Sequence, residues 1–544
     1  MLEKLQYNPI LTIVIVVGLM LLVNIDTLQI TIMEARSFIT AREMILDDNW
    51  IMTTMNGEPR YQKPPLPTWL TAFSSMIFGM KSLFGLRLPA VIMVMATGIY
   101  AYFLSFELLR NKKHALINGL ITVTSFYIIA IIIEAPWDIF AHGFMIIGIY
   151  HLFQLFEKSE NYWKHVIIAS ICIGFSILSK APVSIYALLL PFLIAYGITY
   201  KFKHIRSRPI AILSLMVLAL LVGGWWFLYV RINDPESFVA MASKETGNWS
   251  SYNVRPFYYY WSFFTQSGLW TIPALISLFY PYLKTRVTNL KAYRLTFFWT
   301  LFAVLLLSVI PEKKSRYLMP VLIPLALNTG FYINYLVEKF KELKDKKETI
   351  PVYFNFGLIG LIGMAFPFGY FIFKDNLQGK YLVWFLVASA ILFIIGLSIM
   401  LMLKRKQFSN VFLLVISFMV CAFLFVLPVS KSFVASEYTP ITELKDSAEE
   451  EGLKVYAYNY VSPEMIWQYG DRIPQIKLND SIFEYPKENR FGMLVKDLNP
   501  KDKNLLNARY SLVKKETFNL NIFNSESRQY RDRLVSHYYI LTRK

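Results

Sequence analysis

Long apolar runs separated by short charged connections dominate the chain from residue 9 to residue 429. Runs near 9–23, 83–106, 115–133, 138–156, 165–179, 183–200, 209–230, 260–282, 295–310, 317–337, 352–373, 381–403 and 410–429 each approach the length that a helix needs to cross a bilayer. The pattern predicts a polytopic α-helical membrane protein with about thirteen transmembrane helices. The first run, PILTIVIVVGLMLLV, follows a head carrying Lys4 and no A-x-A-like cleavage site comes after it, so it reads as a retained helix. Beyond residue 430 the period changes. KVYAYNYV, RFGMLVK, ARYSLVKK and SHYYILTRK read as short strands, with PEMIWQYG as a helical turn between two of them. The expected organisation is a membrane domain over 1–429, interrupted by a large loop at 24–80, and a small α/β domain over 430–544.

Inside the large loop, IMEARSFITAREMI repeats its apolar residues at nearly helical spacing and predicts a helix lying in the membrane interface. Arg42 and Glu43 fall on its solvated polar face. Further on, NGEPRYQKPPLPTWL places Lys63 before Pro64 and Pro65, which predicts a stiff, non-helical arm able to aim a charge. The same prolines also read simply as the stop before a helix from Leu66 to Gly79.

Composition agrees with the pattern. With 55% hydrophobic, 16% aromatic and 17% charged residues and a mean hydropathy of +0.42, the chain is too apolar for an ordinary soluble protein. Its charge is sorted by side. RNKKH at 110–114, KFKHIRSR at 201–208, KTR with KAYR at 284–294, KFKELKDKK at 339–347 and KRK at 404–406 share the side of the N-terminus, which the positive-inside rule assigns to the cytoplasm. Thirteen crossings then put residues 430–544 outside. Of the net charge of +18, residues 431–544 contribute only +2, from 18 Lys/Arg against 16 Asp/Glu. The basic excess therefore reports topology and anionic membrane lipids, and no nucleic-acid partner is expected. Cys172 and Cys421 lie in apolar runs, where a thiol acts as a small hydrophobe, and they offer neither a disulfide framework nor metal spacing.

The outer side carries sparse charge in unusual places. Glu34, Arg36, Arg60 and Lys63 lie in the large loop, Glu134 and Asp138 in EAPWD, and Lys180 in SILSKAPVS. PEKKSRYLMP adds Lys313, Lys314 and Arg316 on the side where the rule disfavours cations. Taken singly, each reads as a boundary charge or a snorkelling side chain. Together, with helix midplanes almost free of ionisable residues, they argue against an ion-coupled transporter. They suit an interfacial site that holds phosphate with ammonium and guanidinium groups and keeps a carboxylate for proton transfer.

These same stretches resemble a known family. MEARSFITAREMILDDNWIMTTMNGEPRYQKPPLPTWLTA is similar to the first outer loop of bacterial glycosyltransferases related to the aminoarabinose lipid A transferase, within the protein mannosyltransferase-like superfamily of the GT-C fold. The matching positions are Glu34, Arg36, Ala41 to Met44, Asn49-Trp50, Asn56-Gly57 and Tyr61 to Pro65. In order along the chain follow Arg87-Leu88-Pro89, Asp138, Ser179-Lys180, the P-aromatic-YY of RPFYYY and the K-x-x-Y-x-x-P of KKSRYLMP, so the resemblance covers roughly the first 330 residues.

The resemblance implies a GT-C fold with an outer C-terminal domain. It also implies transfer of a sugar from a polyprenyl-phosphate carrier to a lipid, glycan or protein acceptor of the cell envelope, with inversion. The implied phosphate ligands are Lys63, Arg36, Lys180, Lys313 and Arg316, with Tyr61 and Tyr317 beside them. Glu34 is the first choice of base and Asp138 the second. Two departures matter. Met33 stands where the family carries an aspartate, and Gln62 replaces its glutamate; the loop at 232–258 also has no histidine, so no metal site is expected there. No cofactor is implied, and a divalent-ion requirement stays open. The alternative is a lipid-linked sugar flippase, which would need a second cationic phosphate cavity at the cytoplasmic face. A third reading is a non-catalytic binder acting through its outer domain.

Overall fold

The computed structural model of the chain describes residues 2–158, 160–180, 182–202, 208–476 and 484–544. These fall into two compact units: Met1–Thr27 with Tyr61–Val429, and Leu28–Arg60 with Ser430–Lys544.

The first unit is a bundle of apolar helices. Among the described residues nine helices are long and apolar enough to cross a membrane, or ten if Lys112–Thr124 and Phe126–Glu134, bent by 41°, count as one span. Shorter apolar helices run over Pro9–Leu21, Leu66–Phe78 and Ile185–Tyr200. The chain is a multi-pass membrane protein whose helices broadly follow the apolar runs; the run at 115–133 bends at Ser125, and the run at 260–282 is interrupted more deeply. Residues 260–282, read as a single span, are broken: Phe257–Tyr260 and Phe263–Trp270 are 3-10 turns, and regular helix resumes over Thr271–Ser277. The break centres on Gly268, at φ +67°. Hydropathy counts apolar side chains and is blind to a left-handed backbone position that glycine adopts without strain. Of the basic loop read at 201–208, residues 203–207 lie outside the described residues.

Pro136 occupies the first turn of the helix Pro136–Glu157, where its missing N–H costs nothing, and this sets Asp138 at the helix start. The next helix, Tyr162–Lys180, runs back beside it and ends on Lys180. Lipid tails are as apolar as leucine, so polar contacts help fix such pairs. Here Ser176 Oγ donates to the Ala141 carbonyl at 2.6 Å and lies 2.5 Å from Ser184 Oγ. Likewise Asn328 Nδ2 reaches both oxygens of Ser277 at 2.9 Å, and the Tyr293 hydroxyl donates to the Ser277 carbonyl at 2.8 Å. These bonds pin the short helix after the break against Leu290–Val309 and Met319–Lys339.

The second unit contains a four-stranded mixed sheet in the order Val455–Ala457, Arg490–Val495, Val535–Arg543, Tyr510–Asn519. The first pair is parallel and the others antiparallel. The strands and the helix Pro463–Tyr469 form where the alternating pattern places them. Tyr510–Asn519 is an edge strand, with a bulge between Lys514 and Glu516 and a bridge from Thr439 to Asn519 at its end.

The helix Ile32–Leu46 also forms as predicted, yet without the expected wet face. Most of Glu34 to Met44 is buried; Ile39 packs in one core with Ile441, Leu494 and Ile540, and the Phe38 ring lies 6.1 Å from Trp467. Arg42 and Glu43, read as solvated, are both buried. Glu43 accepts from Thr54 Oγ1 and the Asn56 N–H, each at 2.6 Å, and from the Gly57 N–H at 3.2 Å. It thereby closes the two-residue turn of the hairpin Thr54–Met55/Glu58–Pro59, whose φ values of +57° and +82° suit an Asn-Gly pair. The surface that buries the helix comes from residues near Trp467 and Ile473, remote in sequence, which periodicity within the loop cannot reveal.

Candidate active site

In the membrane unit the site is built around Asp138. This carboxylate is buried and ion-paired through Oδ1 with Lys180 Nζ. His142 lies one turn further on, and the charge of Lys63 also acts on Asp138. Lys63 sits in a non-helical bend, as its prolines predict, and Pro65 then caps the helix Leu66–Phe78. The KPP sequence is thus both an arm and a helix start.

From Lys180 the cluster extends along 311–320. The ammonium lies 5.2 Å from the centre of the Tyr317 ring, a cation–π distance. The Tyr317 hydroxyl donates to Glu312 Oε1 at 3.1 Å, and Lys314 Nζ donates to the same oxygen at 2.6 Å and to the Tyr317 hydroxyl at 3.2 Å. Beside them the Tyr127 hydroxyl donates to Glu134 Oε2 at 2.5 Å, and the charge of Arg316 acts on Tyr127. Lys63, Asp138, Lys180, Arg316 and Tyr317, singled out from the sequence, therefore converge.

Two further residues are placed differently. Lys313 is buried, and its ammonium donates to the carbonyls of Ile310 at 2.5 Å and Arg255 at 3.1 Å. Burial lowers its pKa below the ordinary lysine range. It clamps two loops together, while Lys314 is the lysine that meets the tyrosines. The Tyr61 hydroxyl donates to Asp234 Oδ2 at 2.9 Å, and Asp234 caps the helix Pro235–Ser251 by accepting from the Ser237 N–H at 3.2 Å. Burial, reinforced by Asp234, raises the Tyr61 hydroxyl pKa. Burial alone would raise Asp234 too, but the bonds from Tyr61 and Ser237 hold it below the usual carboxylate range. Tyr61 thus ties the arm to the helix after Asp234.

Sequence reading missed Glu312, His142, Tyr127 and Asp234. Glu312 was masked by the cations that follow it. His142 lies four residues from Asp138, the spacing that puts two side chains on one helix face.

The second unit carries its own charged group. Glu34 is buried and closes a capping box: its Oε2 accepts from the Thr31 N–H at 3.2 Å while Thr31 Oγ1 accepts from the Glu34 N–H at 3.3 Å. Arg60 Nη1 donates to the Arg36 carbonyl at 2.5 Å and to Thr40 Oγ1 at 2.8 Å. Burial, and then the like charge of Arg36, push the Arg60 pKa down to about 9. Arg36 Nε is buried without a hydrogen-bond partner. Two neighbouring guanidiniums with a donor to spare form a group that an anion would stabilise. Among the described residues, no three His, Cys, Asp or Glu side chains gather as a metal site.

The architecture is the GT-C fold. It matches the crystal structure of ArnT from Cupriavidus metallidurans bound to undecaprenyl phosphate over 97% of both chains, with a TM-score of 0.71 and 14% identity. The apo state of the same protein matches over 94% of both chains, with a TM-score of 0.67 and 15% identity. In sequence, residues 62–226 match the family described as dolichyl-phosphate-mannose-protein mannosyltransferase. The chain is 26% identical over 316 residues to an uncharacterized protein of Aquifex aeolicus, covering 56% of this chain and 59% of that one. It is 24% identical over 355 residues to undecaprenyl phosphate-alpha-4-amino-4-deoxy-L-arabinose arabinosyl transferase 1 of Proteus mirabilis, covering 61% and 60%. The matched regions span less than two thirds of either relative.

Proposed function

We propose that the chain is a glycosyltransferase that moves a sugar from a polyprenyl-phosphate donor to a lipid, glycan or protein acceptor of the cell envelope. The observation that carries this reading is the convergence of Lys63, Lys180, Arg316 and Tyr317 around Asp138 at one end of an apolar bundle. Undecaprenyl phosphate in the names of a relative and of a structural neighbour supports the donor class. The lipid phosphate is the leaving group, so cations that stabilise its growing charge act where the transition state needs them. One direct displacement at the anomeric carbon, with one base for the acceptor hydroxyl, inverts the configuration. Asp138 is engaged by Lys180 and orients it; Glu34 is the base named from the sequence. Lys313 is left out of the phosphate ligands because its ammonium holds backbone carbonyls.

The reaction test supplies purified chain with a radiolabelled polyprenyl-phosphate sugar and an envelope extract. Transfer of label to an extract component with release of polyprenyl phosphate is the expected result; an unchanged donor pool would end the proposal. For orientation, residues 430–544 are proposed to face outward. A cysteine at Ser525 should then label with an impermeant thiol reagent in intact cells while one at Lys344 should not, and the reverse pattern would overturn the assignment.

A flippase reading is favoured by one observation: a second cationic cavity, at the other ends of the helices, lined by Lys201, Lys291 and Arg294.

A further inference from the structure

That second cavity occupies about 670 Å³ between the end of the helix Leu190–Tyr200 and the start of Leu290–Val309. The latter helix has 20 residues, so the cavity lies about 30 Å along it from the Tyr317 cluster. Lys201, Lys291 and Arg294 line the cavity with Ile198, Leu290 and Phe298, and no carboxylate is among its lining residues.

What distinguishes the three cations is that they share one cavity and that tyrosines, not acids, meet two of them. Lys201, just past a helix C-terminus, gains something from the helix dipole, but Lys291 lies in the first turn of its helix, at the positive end. Topology alone would scatter cations over this end; some meet acids there, Arg110 with Glu107 at 2.6 Å, Lys339 with Glu342 at 3.0 Å and Arg286 with Glu348 at 2.8 Å, while others, such as Lys404 and Arg405, make no ion pair among the described residues. Among the described residues Lys201, Lys291 and Arg294 have no such partner. Tyrosines hold two of them instead. Lys291 Nζ sits 3.6 Å from the centre of the Tyr200 ring, and Arg294 Nε donates to the Tyr280 hydroxyl at 2.8 Å, which leaves charge directed at the cavity. The apolar walls open outward, with Ile198 half exposed on the bundle surface.

From these observations we infer that the cavity binds the phosphate headgroup of an anionic phospholipid, with the acyl chains along Ile198 and Phe298. Basic pockets between membrane helices recognise such headgroups through these groups. A transport site is disfavoured by the path beyond it: from Leu295 to Val309 the helix has no ionisable residue, and most of that stretch packs in the bundle. This inference stands apart from the transferase reading, since no residue of the Asp138 cluster takes part.

The test uses the full chain in nanodiscs of phosphatidylcholine with or without phosphatidylglycerol, with retained lipid counted by native mass spectrometry. Wild type should retain phosphatidylglycerol selectively, and Lys291→Gln/Arg294→Gln should weaken that retention by about 10- to 30-fold. Lys339→Gln, whose ammonium pairs with Glu342 outside the cavity, should retain it fully. If the double variant does not fold, Lys201→Gln/Lys291→Gln replaces it, with Lys291→Arg as the charge-keeping control that should still retain the lipid. Equal retention by wild type and the charge-removing variants overturns the inference. So does displacement of the bound lipid by inorganic phosphate, which would mark a free-anion site, or by polyprenyl phosphate, which would favour the flippase.

Discussion

At one end of the membrane unit Asp138 holds Lys180, and at the other Glu348 holds Arg286. The second cluster is closed. Glu348 accepts from Arg286 Nη2 at 2.8 Å and from the hydroxyls of Tyr282 and Tyr335 at 2.9 Å each, and the guanidinium lies 4.0 Å from the centre of the Tyr282 ring. Asp345 and Lys347, one charge of each sign, line the adjoining cavity, and the Asp345 carboxylate accepts from the Lys347 N–H at 2.9 Å. The first cluster is open. Lys63 and Lys180 both act on Asp138, while Glu312 is taken up by Lys314 and Tyr317, and Glu134 by Tyr127. Among the described residues Arg316 makes no ion pair. A charge set whose members all answer one another stabilises the fold, whereas a set with cations in excess of its available carboxylates is arranged to receive an anion.

The strongest challenge to this contrast is at the carboxylates. Glu34→Gln should lower turnover by about 10²- to 10⁴-fold with donor binding largely kept, the scale of a lost general base. Asp138→Asn, which loosens Lys180, should raise the KM for the donor more than it lowers kcat. If Glu34→Gln keeps full turnover while Asp138→Asn abolishes it with donor still bound, the base is Asp138. Next in size is Lys63→Ala. A charge-assisted phosphate contact contributes about 1.5–3 kcal/mol, so donor use should fall by roughly 10- to 150-fold; near-normal kcat/KM would return KPP to a helix start alone.

The closed cluster should behave in the opposite way. Glu348→Gln should cost about 1 kcal/mol of stability, seen as a lower melting temperature in detergent, with kcat and KM unchanged. A selective loss of donor affinity there would erase the distinction between the two ends. Smallest of all, Tyr61→Phe removes one hydrogen bond to Asp234 and should cost about 1 kcal/mol, read as a modest rise in donor KM.

The parts of this picture legible in the sequence share a cause. Helices appear as apolar runs and strands as alternation because those signals are local, and Lys63 was found because two prolines fix its backbone whatever surrounds it. What escaped depended on distant chain. Arg42 and Glu43 look solvated until residues near Trp467 and Ile473 cover them. Gly268 breaks a run that remains apolar throughout. Lys313 and Lys314 are adjacent cations on paper, yet one grips two carbonyls and the other a carboxylate and a tyrosine. Glu312 could have been picked out as the single acid in PEKKSR, since a lone carboxylate among cations has a partner close at hand.

The edge of the terminal sheet bears on how copies of the protein tolerate one another. Among the described residues Tyr510–Asn519 pairs on only one side for most of its length, and an unpaired strand edge is a template for another chain. This one is defended: the bulge at Lys514–Glu516 breaks the straight run of backbone donors, and Lys514, Lys515 and Glu516 are exposed there. The opposite edge, Val455–Ala457, is only three residues long, and a parallel bridge from Ala457 to Gln475 covers its end. Proteins confined to a membrane meet their own kind far more often than they would in free solution. An edge too kinked, charged or short to zip onto its copy lets the protein be packed densely in the bilayer without its terminal sheets fusing into fibres.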